Sequence, residues 1–402
     1  MPTPLRKLHR VFATTALVSL VGHEACAQPA RPSIVVPFEM RADAVLVTVS
    51  VNDSSGLLIL DTGSGVSVLD SAFARRVALA MIGPRVTVSG TRNTSMQLGR
   101  AKTVRVGAAD LGDILIAPVS FSAVQARIGR DVRGSIGYEL FTQYVVDIDF
   151  DRKVLTLHDP RTFSYHGRGA VLPIRVENRH PVADISIVTR THGKLSAKMV
   201  LDLGSSSYAL RFATGFVKAH GLPGDTTTIA GPFGAGVDGV TEGRLMRLPK
   251  LEMGPLTFDR PSAALSEVET GAFGSGAQAD GTIGMPVFKR TRMIIDYHGS
   301  RMIFEPRERL DVPDSVSTNG LTFVSDGEPS AVRVGYVIAG SPGDVAGVRV
   351  GDEVIEIDGR STAAMMVHQA TSLMRAAGTV HKLRLRRDAR TLDVSITPRM
   401  VF

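Results

Sequence analysis

Alternation of apolar and polar positions runs through most of this chain. "AVLVTVSV" (44–51), "KTVRVG" (102–107) and "ADISIVTR" (183–190) have a period of two and are cut by Gly, Pro and Asp turns, the pattern of half-buried strands. Helical spacing is confined to short stretches. "DSAFARRVAL" (70–79) and "LRFATGFVKAHG" (210–221) each follow an acidic motif, and "AMMVHQATSLMRAAG" (364–378) places Met366, Ala370, Leu373 and Met374 on one stripe. The expectation is a mostly β protein built from small barrels or sandwiches.

The pattern is also duplicated. "LLILDTGSGVSVL" (57–69) returns as "KMVLDLGSSSYAL" (198–210), "GSIGYELF" (134–141) as "GTIGMPVF" (281–288), and "VVDIDFDRKVLTL" (145–157) as "IIDYHGSRMIFEP" (294–306). Three landmarks recurring in one order mark two copies of one fold. The stretch 158–171 reads as the joint between them. A third unit of strands and one helix starts near 318, so the expected units are 28–165, 166–312 and 318–402.

Residues 1–27 read as a secretory leader, outside the fold. Arg6, Lys7, His9 and Arg10 form a basic start, Val11 to Gly22 a short apolar run, and "ACA" (25–27) the small residues of a cleavage site. The run is too short to span a bilayer, which predicts an exported chain, periplasmic or secreted, with no stable membrane insertion. Removing the leader removes the one cysteine, Cys26, and lowers the formal net charge from +7 to +5. A disulfide-free exported protein of this size suits a bacterial periplasm. The basic residues are scattered and not interleaved with aromatics, which argues against nucleic acid as a partner.

Both copies of the first landmark run an apolar strand into an acid, Asp61 and Asp202. A lone Asp-Thr/Ser-Gly triplet arises by chance about 0.2 times in a chain of this length, and its ordinary use is an Asx-turn at a strand end. The apolar flanks, the later Ile136-Gly137 and Ile283-Gly284 pairs, and duplication of the whole set make it a candidate catalytic site. Two carboxylates brought close together share a proton. The ionised one acts as general base on a water, and the protonated one donates to a carbonyl oxygen as it gains charge. Gly63 and Gly204 let the backbone turn and present amides, while Ser64 and Ser205 bring hydroxyls able to donate to the acids.

Across residues 35–310 these motifs resemble the retropepsin-like aspartic proteases. The resemblance implies two acid-protease β-barrel domains in tandem, forming a pseudo-dimer with one aspartate from each at the junction. It implies peptide or protein substrates and no cofactor. It also implies a cross-loop hydroxyl at the second motif position, which the first copy keeps as Thr62 and the second replaces with Leu203. Three readings follow from that departure: a single-chain aspartic endopeptidase, a protease active only as a homodimer through Asp61, and an inactive pseudo-protease that binds exported peptides. The sequence leaves the oligomeric state open. A glycine-tipped hairpin flap is implied as well, and the candidates are Gly90 and Gly231. Asp147 and Asp296 match between the copies and read as outward or turn acids on a structural strand.

"GLTF" (320–323) and "GSPGDVAGVRVGDEVIEIDG" (340–359) resemble a PDZ domain across 318–402, an α+β unit. Such domains take a peptide C-terminus as an added strand, its carboxylate held by loop amides. The resemblance assigns those amides to Gly320, Leu321, Thr322 and Phe323, and a side-chain pocket to Val367 or His368. The histidines are scattered, with no HExxH and no cysteine cluster, so no metal is expected. No GxSxG or P-loop pattern is present.

Overall fold

A computed structural model of the chain describes residues 31–89, 93–236, 239–314, 319–325, 331–374 and 377–399. The leader expected at 1–27 lies outside them. The described residues are mostly strand, in three sheets, with only short helices.

The two copies meet in one sheet. The strand Val145–Asp149 pairs antiparallel with Thr291–Asp296, and each continues into its own hairpin partner, Val154–His158 and Arg301–Pro306. Val146 faces Ile295, the residue matching it in the repeat, so the pseudo-twofold axis passes between them. Ile34–Arg41 and Ala170–Pro173 extend the sheet on either side. The segment 159–169 therefore links strands of one shared base, and the division drawn at 165/166 falls within it. Asp147 and Asp296 depart from the sequence expectation. They are 5% and 4% exposed, held by Arg292 (Nη2 to Oδ2, 2.6 Å) and Arg301 (Nε to Oδ2, 2.9 Å) respectively. A carboxylate in a shared sheet needs a partner to be buried, and each has an arginine from the hairpin of the second copy.

Each copy builds its acidic loop the same way. The strand Ser54–Leu60 ends at Asp61, and Val132–Ile136 slots in beside it, parallel to it and antiparallel to Ser67–Asp70. In the second copy Gly281–Ile283 slots between Gly193–Leu201 and Leu210–Phe212. Asp61 N–H donates to the Ile136 carbonyl at 3.0 Å and Asp202 N–H to that of Ile283 at 2.9 Å. Gly137 and Gly284 follow these isoleucines because a Cβ there would strike the carbonyl oxygens of Ser64 and Ser205.

The third unit is a smaller sheet with Leu321–Val324 at its edge and the helix Val367–Leu373 against it. That helix is shorter than the 364–378 expected: Met366 and Met374 are its caps, and Val367, Ala370 and Met374 enter the core. The connection into the unit is pinned by Asp314, which is 8% exposed and accepts from Arg247 and Ser262. The unit then packs on both copies. Ile338 joins Tyr208, Phe233, Leu245 and Phe273 of the second, and Arg41 of the first hydrogen-bonds His368 at 2.8 Å.

Candidate active site

The two acidic loops face each other across the pseudo-twofold axis. Gly63 N–H donates to Asp61 Oδ1 and Gly204 N–H to Asp202 Oδ1, both at 2.8 Å. A Cβ on Gly63 would collide with the Asp202 carboxylate, and one on Gly204 with that of Asp61. Each glycine is thus required twice, for its own turn and for the acid opposite. Each carboxyl thus lies against the loop that carries the other. Burial and the charge of Asp202 push the Asp61 carboxyl well above the usual carboxylate range, against the pull of the Gly63 and Gly204 amides.

Thr62 locks the loops together. Its hydroxyl donates to the Leu201 carbonyl at 2.6 Å and accepts from the Leu203 amide at 2.9 Å. Leu203, fully buried, takes part through its backbone while its side chain joins the core. The leucine therefore removes one hydroxyl without displacing the loop. The serines act differently from the sequence expectation. Ser64 Oγ donates to the Val66 carbonyl at 2.9 Å, and Ser205 Oγ has no partner among the described residues. What reaches Asp202 from Ser205 is its amide, at 3.1 Å, because the turn aims N–H groups inward and side chains away.

Of the flap candidates, Gly90 lies outside the described residues. Gly231 sits in the strand Ile229–Gly236, opposite Gly243 and buried against Leu245, well short of the hairpin's end. It is a packing glycine at the foot of a hairpin, with Ile338 of the third unit pressing on the same place.

Four residues beside the dyad escaped the sequence reading. Arg211 Nη2 lies 3.3 Å from Asp202 Oδ2. Arg127 Nη1 donates to Ser206 Oγ, just past the second motif, at 2.8 Å. His180 Nε2 is 3.1 Å from the Gly63 carbonyl. The Tyr297 hydroxyl is buried near Asp61, with no hydrogen-bond partner among the described residues; burial and the Asp61 charge raise it above the ordinary phenol range. The signal in the sequence for Arg211 was a lone cation inside the apolar run "YALRFATGF".

Compared with known families, residues 47–140 and 187–287 match the aspartyl protease family and residues 333–387 match the PDZ domain. The chain carries two aspartyl protease segments and a PDZ domain. Over the PDZ region, 87 residues are 38% identical to the "Patj homolog" of Drosophila melanogaster, a match spanning 20% of this chain and 10% of that protein.

The PDZ domain brings its edge strand against the first protease lobe. Ser325 N–H, just past Leu321–Val324, donates to the Ala126 carbonyl at 2.9 Å, and Gly129 sits against the Val367 side chain. Ala126 and Arg127 share one short helix, Ser122–Ile128, which thereby touches both the PDZ edge and the second acidic loop. Gly320 has a left-handed backbone (φ 77°) over Ser341. Leu321 to Phe323 lie in the strand, and the Leu321 amide donates to Asn319 Oδ1 at 2.8 Å. Of the four residues assigned to a carboxylate loop, only Gly320 therefore lies outside regular structure.

Proposed function

We propose that the chain is an aspartic endopeptidase whose dyad, Asp61 and Asp202, is completed within one chain. The observation that carries this reading is the reciprocal geometry of the loops. Each motif glycine backs onto the opposite carboxylate, and Thr62 ties the two loops across the axis. In that arrangement the dyad holds one proton and one negative charge. The anion takes a proton from water while the acid donates to the scissile carbonyl oxygen. The PDZ domain captures peptide C-termini, and the leader directs the chain to the periplasm or outside the cell.

Cleavage of a peptide mixture by wild type, Asp61→Asn and Asp202→Asn tests the reading. Loss of turnover in both variants is expected. Loss in Asp61→Asn alone points to pairing of Asp61 between subunits, and turnover surviving in both removes the aspartic mechanism.

A further inference from the structure

The second lobe places a cation where the first has a hydrocarbon. Gly134 backs onto the carbonyl of Val68, and its counterpart Gly281 onto that of Arg211, so these two residues occupy the same rung. Val68 packs with the apolar cluster of Phe121, Val124 and Ile128. Arg211 turns instead toward the acids, with Nη2 3.3 Å from Asp202 Oδ2 and Nε donating to Thr282 Oγ1 at 3.3 Å. Its guanidinium lies 4.5 Å from the Phe273 ring centre and 5.7 Å from that of Phe233. Gly234 makes room, since a Cβ there would stand 2.9 Å from Nη1. The first lobe shows that the strand forms without this cation, and aromatic walls with a glycine niche orient it onto one carboxylate of the pair.

We propose that Arg211 is a positioning residue that fixes the shared proton of the dyad on Asp61 and leaves Asp202 as the water-activating anion. The proposal rests on the aspartic protease reading and assigns its two roles. Around the pair stand Arg211 on Leu210–Phe212, the Tyr297 hydroxyl beside Asp61, Tyr208 beside Arg211, and Arg127 from the helix Ser122–Ile128, itself facing Asp43. Arg211 makes the direct contact with Asp202, and Arg127 is turned onto Ser206.

The chemistry balances with these roles. The water oxygen bonds to the carbonyl carbon, its proton passes to Asp202, and the carbonyl oxygen takes the Asp61 proton, giving a neutral gem-diol. Asp202 then protonates the amine nitrogen as the C–N bond breaks, and Asp61 recovers a proton from a diol hydroxyl. Carboxylic acid and amine leave, and the starting protonation state returns.

The test uses the full chain in two readouts: the pH dependence of kcat/KM, and carboxyl-carbon NMR with the Asp61 and Asp202 signals assigned through their Asn variants. In wild type at neutral pH the protonated carboxyl is expected to be Asp61. Arg211→Met should move the acid limb of the dyad up by about one to two pH units and spread the proton over both carboxyls, a roughly tenfold to hundredfold loss on the low-pH side. Arg211→Lys should keep most of the limb. If Arg211→Met does not fold, Arg211→Gln makes the same neutral test. An unmoved acid limb with reduced kcat leaves Arg211 a structural role only and overturns the proposal, as does a wild-type proton on Asp202. Cleavage that survives Asp61→Asn defeats the protease reading instead, and the NMR readout still decides where the proton sits.

Discussion

Thr62→Val isolates the lock between the lobes. The threonine is 1% exposed, and its hydroxyl serves two backbone groups of the opposite loop, the Leu201 carbonyl at 2.6 Å and the Leu203 amide at 2.9 Å. Valine has nearly the same shape, so no cavity opens and the cost is that of stranding those groups. An unsatisfied buried polar group costs about 1–3 kcal/mol, and a carbonyl with a second lone pair falls at the low end, which gives about 2–4 kcal/mol for the pair. Thr62→Ser keeps the hydroxyl and loses one buried methyl, worth about 0.8 kcal/mol. Amide hydrogen exchange in the full chain reads the difference at the Leu203 N–H itself. At 1.4 kcal/mol per factor of ten, Thr62→Val should speed that exchange by at least about thirtyfold. Thr62→Ser should change it by less than about fivefold, and peptide cleavage should fall with the lock. Equal exchange at Leu203 in the Val and Ser variants would show that the hydroxyl holds nothing, and the argument for a rigid single-chain dyad would go with it.

Other consequences follow from the charges and the docking. The Asp61 carboxyl lies above its unfolded value, so the native state holds the extra proton and stability declines as pH rises from about 4 through the folded-state value. Asp61→Asn should remove that decline and leave the chain more stable than wild type at neutral pH by about 1 kcal/mol or more in urea unfolding; identical pH profiles would contradict it. Asp147 is shifted the other way: burial alone would raise it, but two hydrogen bonds from Arg292 and the His158 ring 3.9 Å away overcome burial and lower it, so the stability it contributes is lost only as pH falls through its depressed value. Arg292→Met should cost about 1–2 kcal/mol at neutral pH, less than a fully buried pair because the arginine is 42% exposed, and a loss under about 0.3 kcal/mol would sink that account. Gly129 has φ 65° and faces Val367 across the PDZ contact. Gly129→Val should lift the helix Ser122–Ile128 off the PDZ edge, speed exchange of the Ser325 amide, and strengthen capture of a peptide with a free C-terminal carboxylate in fluorescence polarisation. An unchanged Ser325 amide would mean that the contact does not depend on this glycine.

The parts of the fold legible in sequence were those that symmetry states twice. The acids, their glycines and the Ile-Gly pairs recur because each copy must solve the same crossing of a loop over a strand, and a Cβ at Gly137 or Gly284 would block it. The shared sheet was harder to read, since pairing of Val146 with Ile295 is a contact between copies and leaves no periodic mark in either. For the same reason Asp147 looked like a surface acid: its arginine, Arg292, comes from the other copy, out of reach of local pattern, whereas Asp296 meets Arg301 across its own hairpin. Arg211 was hidden by arithmetic. Aligning the acids at an offset of 141 sets it against Asp70, the cap of the first helix, yet the cap of the corresponding helix is Ala213, two residues later than that offset places it. The second loop is therefore two residues longer, and the rung partners Gly134 and Gly281 restore the correspondence of Arg211 with Val68. The departures lie on one side of the axis. Leu203 gives up a hydroxyl that Thr62 alone makes good, and Arg211 adds a charge that Val68 lacks. A symmetric pair of carboxylates has no reason to divide acid from base, whereas a lobe that loses a neutral donor and gains a cation beside its own aspartate supplies one.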